Sequence, residues 1–65
     1  MACEAAIKHT RAAFTHDEVL TSADVFARVR WWTPDTIEEA VRDLHAAGVL
    51  RYWGDGKYSL IGALR

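Results

Sequence analysis

The chain has 65 residues, of which 51% are hydrophobic and 26% charged, and its formal net charge at pH 7 is −1. This length allows a single domain, residues 1–65, and the composition is typical of a globular protein and not of a disordered one. The charge excludes a uniformly basic surface, so any binding of nucleic acid must depend on local clusters of basic residues.

Cysteine content and hydropathy indicate where the protein functions. Cys3 is the only cysteine, which excludes an internal disulfide and a cysteine pair for a metal. The apolar runs are too short to cross a membrane, and the first residues lack the pattern of a signal peptide. We therefore expect a cytoplasmic protein without a membrane partner, associated with the nucleoid if it binds DNA.

The first predicted helix covers about residues 2–14. Cys3, Ile7, Thr10 and Phe14 recur at helical spacing and lie on one face. Residues 15–18 interrupt this period and indicate a loop. The next three residues are apolar or β-branched, which favours a small strand that pairs with the later hairpin.

A second, shorter helix is predicted at about residues 22–29. Thr21 and Asp24 have the spacing of a capping box, in which each side chain accepts from the other residue's backbone N–H. After the turn at residues 30–32, Trp32 is placed to pack on Ile37 as a hydrophobic staple, so we expect Trp32 to be buried. We expect Trp31 at the surface or against the first helix.

The third predicted helix, about residues 34–47, has the clearest start and stop signals. Thr33 is a good N-cap, Pro34 suits the first helical position, and Gly48 suits the left-handed position after the end. The apolar residues form one stripe: Ile37, Ala40, Val41, Leu44 and Ala47.

A short β-hairpin is predicted at about residues 50–60. Leu50 and Tyr52 alternate with polar residues before the turn, as do Tyr58 and Leu60 after it. Asp55-Gly56 is a strong signal for a two-residue type I′ turn. The predicted fold class is therefore mainly α, with three helices and a small β-hairpin.

Helix, turn, capped helix and hairpin is the order of a winged helix-turn-helix, and residues 21–60 resemble that superfamily. The resemblance is carried by TSADVFARV, RWW and TPDTIEEAVRDLHAAGVLRYWGDGKYSL. The small residue, glycine and aliphatic pair at residues 47–50 are similar to the usual end of the third helix. The Tyr-Trp, turn and Lys-Tyr-Ser-Leu that follow are similar to the wing.

The resemblance implies binding of double-stranded DNA, with Thr36 and Arg42 on the recognition helix and Lys57 on the wing. The backbone N–H groups at the helix start near Thr33 can bind a phosphate. Arg28, Arg30 and Arg51, with Lys57, can contact flanking phosphates, and Trp53 can stack or pack against sugar. The predicted nucleic-acid site comprises eight residues: Arg28, Arg30, Thr33, Thr36, Arg42, Arg51, Trp53 and Lys57.

Two other interpretations remain open. Between residues 34 and 47 the third helix has four carboxylates and one arginine, a balance that equally favours a protein-interaction module with an acidic face. A homodimer formed through the first helix is also compatible with the pattern.

An enzyme is not expected, because His9, His16 and His45 lie on separate predicted elements without a metal-binding spacing. His16 and Asp17, together with Cys3, are more simply solvated residues than a catalytic site. We expect no cofactor and no metal.

Overall fold

Three helices and three strands make up the protein in a computed structural model that describes residues 2–15 and 18–61. In chain order they are α1 (Glu4–Ala13), β1 (Leu20–Thr21), α2 (Ser22–Arg28), α3 (Pro34–Ala46), β2 (Leu50–Gly54) and β3 (Lys57–Leu60). The strands form one antiparallel sheet in the order β1-β3-β2. The three helices and the hairpin lie where the sequence predicted them. His16, Asp17 and the predicted C-terminal tail at 62–65 lie outside the described residues.

Strand β1 makes the fold a mixed α/β arrangement, so the predicted class of mainly α with a hairpin understates the sheet. Leu20 pairs with Tyr58, and Thr21 pairs with Lys57. This confirms that residues 19–21 contain a strand that joins the hairpin. The strand is short because Thr21 is also the N-cap of α2.

Side-chain caps fix the N-termini of α2 and α3. Thr21 Oγ1 accepts from the Asp24 backbone N–H at 3.1 Å, while an Asp24 carboxylate oxygen accepts from the Thr21 N–H at 3.0 Å, which confirms the capping box. Thr33 Oγ1 likewise accepts from the Thr36 N–H at 3.2 Å. Caps of this kind contribute about 1 kcal/mol each.

Helix α3 ends in a Schellman motif that directs the chain into β2. Gly48 has φ +79°, and its N–H donates to the His45 carbonyl while the Val49 N–H donates to the Leu44 carbonyl. This pair of bonds satisfies two carbonyls that the helix end leaves open. The predicted left-handed glycine is confirmed.

The main core forms where the apolar stripe of α3 meets the other elements. Its buried members come from both helices and strands: Phe14, Leu20, Val25, Val29, Ile37, Val41, Leu44 and Leu50. Trp32 packs against this cluster but is half-buried, so the prediction that it is buried holds only in part.

Small residues allow α1 and α3 to approach each other closely. Ala2, Ala6 and Ala40 form a second buried cluster, and the Ala2 N–H donates to a carboxylate oxygen of Asp43 at 2.8 Å. Cys3 was predicted on the same helix face as Thr10 and Phe14, but it is the N-cap of α1 and is exposed, whereas those two residues are buried. At a cap the chain is not yet helical, so helical spacing does not assign its face.

The hairpin closes through a two-residue turn at Asp55 and Gly56, whose φ values of +54° and +75° confirm the predicted type I′ conformation. Leu50 pairs with Leu60, and Tyr52 pairs with Tyr58. The alternating apolar residues therefore lie on one side of the sheet, as predicted.

Thr10 is a buried polar residue whose replacement should stabilise the fold. Its side chain is fully buried, and within the described residues its hydroxyl has no hydrogen-bond partner. Because an unsatisfied buried hydroxyl is costly, Thr10→Val should raise the free energy of unfolding by about 1 kcal/mol. Urea denaturation followed by circular dichroism measures this change.

Thr10→Ser is the matched control, since it keeps the hydroxyl and removes only the methyl group, and it should destabilise the protein. A lower stability of Thr10→Val would show that the hydroxyl is satisfied in solution.

Candidate nucleic-acid interface

Arg51, Trp53, Lys57 and Ser59 lie on the side of the hairpin that faces away from the core, which we call the outer sheet face. Arg51 pairs directly with Ser59 across the two strands, and Lys57 is two residues from Ser59 on β3. Since side chains alternate along a strand, Arg51, Lys57 and Ser59 share a face opposite to Leu50 and Tyr58. Trp53 lies on the same face because its indole contacts Arg51 and Ser59. Three of the eight predicted site residues are therefore brought together here.

The indole of Trp53 is the centre of the outer sheet face. Its Nε1 donates to Ser59 Oγ at 2.8 Å, and the guanidinium carbon of Arg51 lies 4.3 Å from the ring centroid. This is a cation–π contact. Trp53 remains 53% exposed, while Ser59 is only 9% exposed. The ring is thus held by two partners and still presents a large aromatic surface to solvent.

A β-bulge gives Trp53 its position. Tyr52 pairs with Tyr58 and Gly54 pairs with Lys57, so Trp53 is an extra residue on β2. A bulge of this kind bends the strand and changes the direction of a side chain. The period-two pattern of the sequence contains no signal for it.

Aromatic rings on the opposite side of the sheet fix the hairpin to the end of α3. The ring centroids of Tyr52 and Tyr58 are 5.0 Å apart, and His45 lies 6.1 Å from Tyr52 and 5.8 Å from Tyr58. Tyr52 also accepts from the Gly56 N–H at 3.2 Å through its phenolic oxygen. The sheet therefore has a fixed position relative to α3.

The solvent side of α3 is acidic. Asp35, Glu38 and Glu39 are exposed there with Arg42, whose guanidinium lies 3.6 Å from a Glu38 carboxylate oxygen. The Arg42 side chain is 70% exposed, so this ion pair is a weak surface contact. The predicted base-reading residue Arg42 thus lies among carboxylates.

Thr33 and Thr36, two further predicted site residues, are bonded to each other. Their hydroxyl oxygens are 2.9 Å apart, and Thr33 also caps the helix. Both hydroxyls therefore have a local structural role at the start of α3.

Arg28 is held by an ion pair that joins the end of α2 to the loop before β1. Its Nη1 and Nη2 donate to the two carboxylate oxygens of Glu18 at 2.6 and 2.7 Å, and Nη1 also donates to the Ala13 carbonyl. The bond to Arg28, followed by a bond from the Thr15 hydroxyl, lowers the pKa of Glu18 from 4.5 to about 2. Arg28 is thus already paired with a carboxylate.

Arg30 and Trp31 are exposed in the turn between α2 and α3. Trp31 is 67% exposed, and both it and Trp32 donate their indole N–H to Nδ1 of His9 at 3.1 Å. Trp31 therefore lies both at the surface and against α1, the two positions that the sequence predicted. Beside it is an open groove of about 250 Å³ that His9, Val29 and Trp31 help to line.

Sequence reasoning missed Ser59, which orients the indole of Trp53. In the sequence, Ser59 is simply a polar residue of the predicted hairpin. It lies two residues from Lys57 on β3, so their side chains are on the same face, and it pairs with Arg51 on β2. Once the hairpin register is fixed by the two-residue turn, this placement follows from strand alternation alone.

Comparison of the chain with protein-family models, curated proteins and solved structures finds no match. Over residues 2–15 and 18–61, no helix is long and apolar enough to cross a membrane. In the same part of the chain, no three His, Cys, Asp or Glu side chains are grouped so that they could hold a metal ion. The case for a function is therefore made from the geometry described above.

The ion pair between Glu18 and Arg28 should make stability depend on pH in the acid range. Because the pKa of Glu18 is about 2 in the folded protein and 4.5 ordinarily, its charge stabilises the fold above about pH 4.5. This contribution is lost as the pH falls towards 2. Glu18→Gln should therefore be less stable than wild type at neutral pH, and the difference should vanish at low pH, as measured by urea denaturation.

Arg28→Ala should remove most of the same pH dependence and leave only the part that the Thr15 bond contributes, whereas Arg30→Ala, two residues further on, should retain all of it. An equal stability difference between wild type and Glu18→Gln at every pH would contradict the assignment.

Proposed function

We propose that the chain is a winged-helix domain that binds nucleic acid without catalysing a reaction, and that its outer sheet face makes the contact. The order of helix, turn, capped helix and hairpin supports the winged-helix assignment, with β2 and β3 as the wing. The observation that carries the function is the grouping of Arg51, Trp53 and Lys57 on one exposed face. Cations with an adjacent aromatic ring are the usual means of holding a sugar-phosphate chain and its bases.

The charge distribution favours the sheet over α3 as the contact surface. An α3 inserted in a groove would bring Asp35, Glu38 and Glu39 close to phosphates, which repel them. On the outer sheet face the described charges are Arg51 and Lys57, both positive. The nearest acidic residue along the hairpin is Asp55, in the turn.

Two cations set the expected strength of binding. Each neutralised phosphate contributes about 0.7 to 0.9 to the slope of log K against log salt. Contacts from Arg51 and Lys57 therefore predict a slope of about −1.4 to −1.8, well below that of large DNA-binding proteins. Binding should be micromolar or weaker at physiological salt and tighter at low salt.

Lys57→Ala should weaken binding and reduce the magnitude of the salt slope by roughly one phosphate contact. The reason is that Lys57 is an exposed cation without an ion-pair partner among the described residues. Fluorescence anisotropy of labelled oligonucleotides over a series of salt concentrations measures both quantities.

Lys8→Ala is the matched control, because it removes the same charge from the exposed surface of α1, which packs against α3 and α2. Arg42→Ala tests α3 and should leave the affinity unchanged. A loss caused by Arg42→Ala but not by Lys57→Ala would move the contact to α3, and no binding at low salt would overturn the proposal.

A protein partner is the second candidate function, supported by the acidic side of α3. Next to this side, Phe26 and Pro34 line an open groove of about 290 Å³ together with Asp35 and Glu38. Such a surface suits a basic segment with apolar side chains.

A lysine- and leucine-containing peptide is the probe for this second candidate. It should bind wild type in an anisotropy titration and lose affinity for Glu38→Lys, because the substitution reverses a charge at the groove. Lys57→Ala should not affect this binding, and equal affinities of wild type and Glu38→Lys would reject this function.

A further inference from the structure

We propose that the outer sheet face selects single-stranded nucleic acid, with the Arg51–Trp53 pair as the platform on which a base stacks. This inference rests on the proposed function and specifies its ligand. It begins from the position of Trp53, which is the bulged residue of β2 and half exposed although it is tied to the sheet.

The platform is preorganised. The bond from Nε1 to Ser59 Oγ fixes the edge of the indole, and the guanidinium of Arg51 lies against the ring at 4.3 Å from its centroid. A side chain that is already ordered loses little conformational entropy when it binds a ligand. Both aromatic rings and guanidinium planes stack on nucleobases, so either open surface of this pair can accept one.

Only an unpaired base can use such a platform. In a duplex each base already stacks on its neighbours within its own strand, and an aromatic ring at the helix surface reaches sugar and phosphate instead. In a single strand the bases are free to turn outwards and stack on protein side chains. Trp53 therefore discriminates between the two forms of nucleic acid.

The rest of the surface adds little for a duplex. Sequence-specific duplex binding by a helix-turn-helix requires the third helix in the major groove, and the exposed side of α3 carries Asp35, Glu38 and Glu39. Without this insertion a duplex gains only the phosphate contacts of Arg51 and Lys57. A single strand gains the same two contacts and the stacked base.

Charge also indicates the path of the strand. Arg51 is two residues before Trp53 on β2, and Lys57 lies on β3 opposite Gly54. Asp55 is in the turn at the tip of the hairpin, where its carboxylate repels phosphate. A strand that crosses the sheet at Trp53, with phosphates at Arg51 and Lys57, avoids this carboxylate.

The test compares a fluorescein-labelled oligothymidylate of about 15 nucleotides with a duplex of the same length, in low salt, by anisotropy. Wild type should bind the single strand more tightly. Trp53→Ala should weaken single-strand binding by about 5- to 150-fold, the range expected for loss of one stacked base. Its effect on the duplex should be less than about twofold, because no base stacks there.

Trp31→Ala is the matched control, since it removes an exposed indole that contacts His9 of α1 and not the outer sheet face, and it should not change either affinity. Trp53→Phe keeps an aromatic face and should retain most of the single-strand affinity. Trp53→Leu keeps apolar bulk over Ser59 without a π face, and it should behave like Trp53→Ala. Circular dichroism confirms that each variant is folded.

A measurement on the wild type is independent of the folding of variants. Stacking on an indole shifts the thymine base protons upfield in the NMR spectrum of the bound oligothymidylate, and the shift should be absent with Trp53→Leu. No upfield shift, or equal affinities for single strand and duplex, would overturn the single-strand inference. In that case the proposed function stands if Lys57→Ala still weakens binding, and it falls together with the inference if neither nucleic acid binds.

Discussion

The burial of one side of α3 is the constraint on which the other elements depend. Ile37, Ala40, Val41 and Leu44 are buried, and this helix packs against α1, α2 and β2. A chain of 65 residues buries only about 60% of its unfolded surface. Because α3 contacts α1, α2 and β2, its few apolar residues contribute to the packing of all three elements. Loss of any of these side chains would weaken several interfaces together.

The same constraint separates the charges of the protein. Because the apolar stripe occupies the inner side of α3, Asp35, Glu38, Glu39 and Arg42 lie on the outer side, while Asp43 bonds to the Ala2 N–H beside α1. Arg28 is paired with Glu18 at the end of α2, and the cations of the sheet are Arg51 and Lys57. A protein with a net charge of −1 thus has one acidic helix surface and one small basic sheet surface.

Local signals in the sequence were sufficient for most of the framework. Thr21, Thr33 and Gly48 fix helix ends through their own side chain or backbone conformation, and Asp55-Gly56 fixes the hairpin register. These features depend on neighbours within a few residues, which is why spacing alone predicts them. The exposed Cys3 was grouped with Thr10 and Phe14 because the helical period was extended beyond the start of α1.

The site was less predictable because its geometry depends on contacts between distant residues. Arg28 lies ten residues from Glu18 in sequence, and no periodicity relates them. The bulge at Trp53 and its bond to Ser59 depend on how two strands are aligned, a property that neither strand encodes by itself. Strand alternation about the predicted turn is enough to place Arg51 and Lys57 on one side of the hairpin, but it does not indicate that Trp53 contacts Arg51 and Ser59 there.

The contact of two tryptophans with one histidine has a consequence for the turn before α3. Nδ1 of His9 has a single lone pair, which the indole N–H groups of Trp31 and Trp32 share. If Trp31 rotates into solvent, the lone pair becomes wholly available to Trp32, and the departing N–H is satisfied by water. Rotation of the Trp31 indole therefore costs little hydrogen-bond energy, while Trp32 stays hydrogen-bonded to His9 of α1.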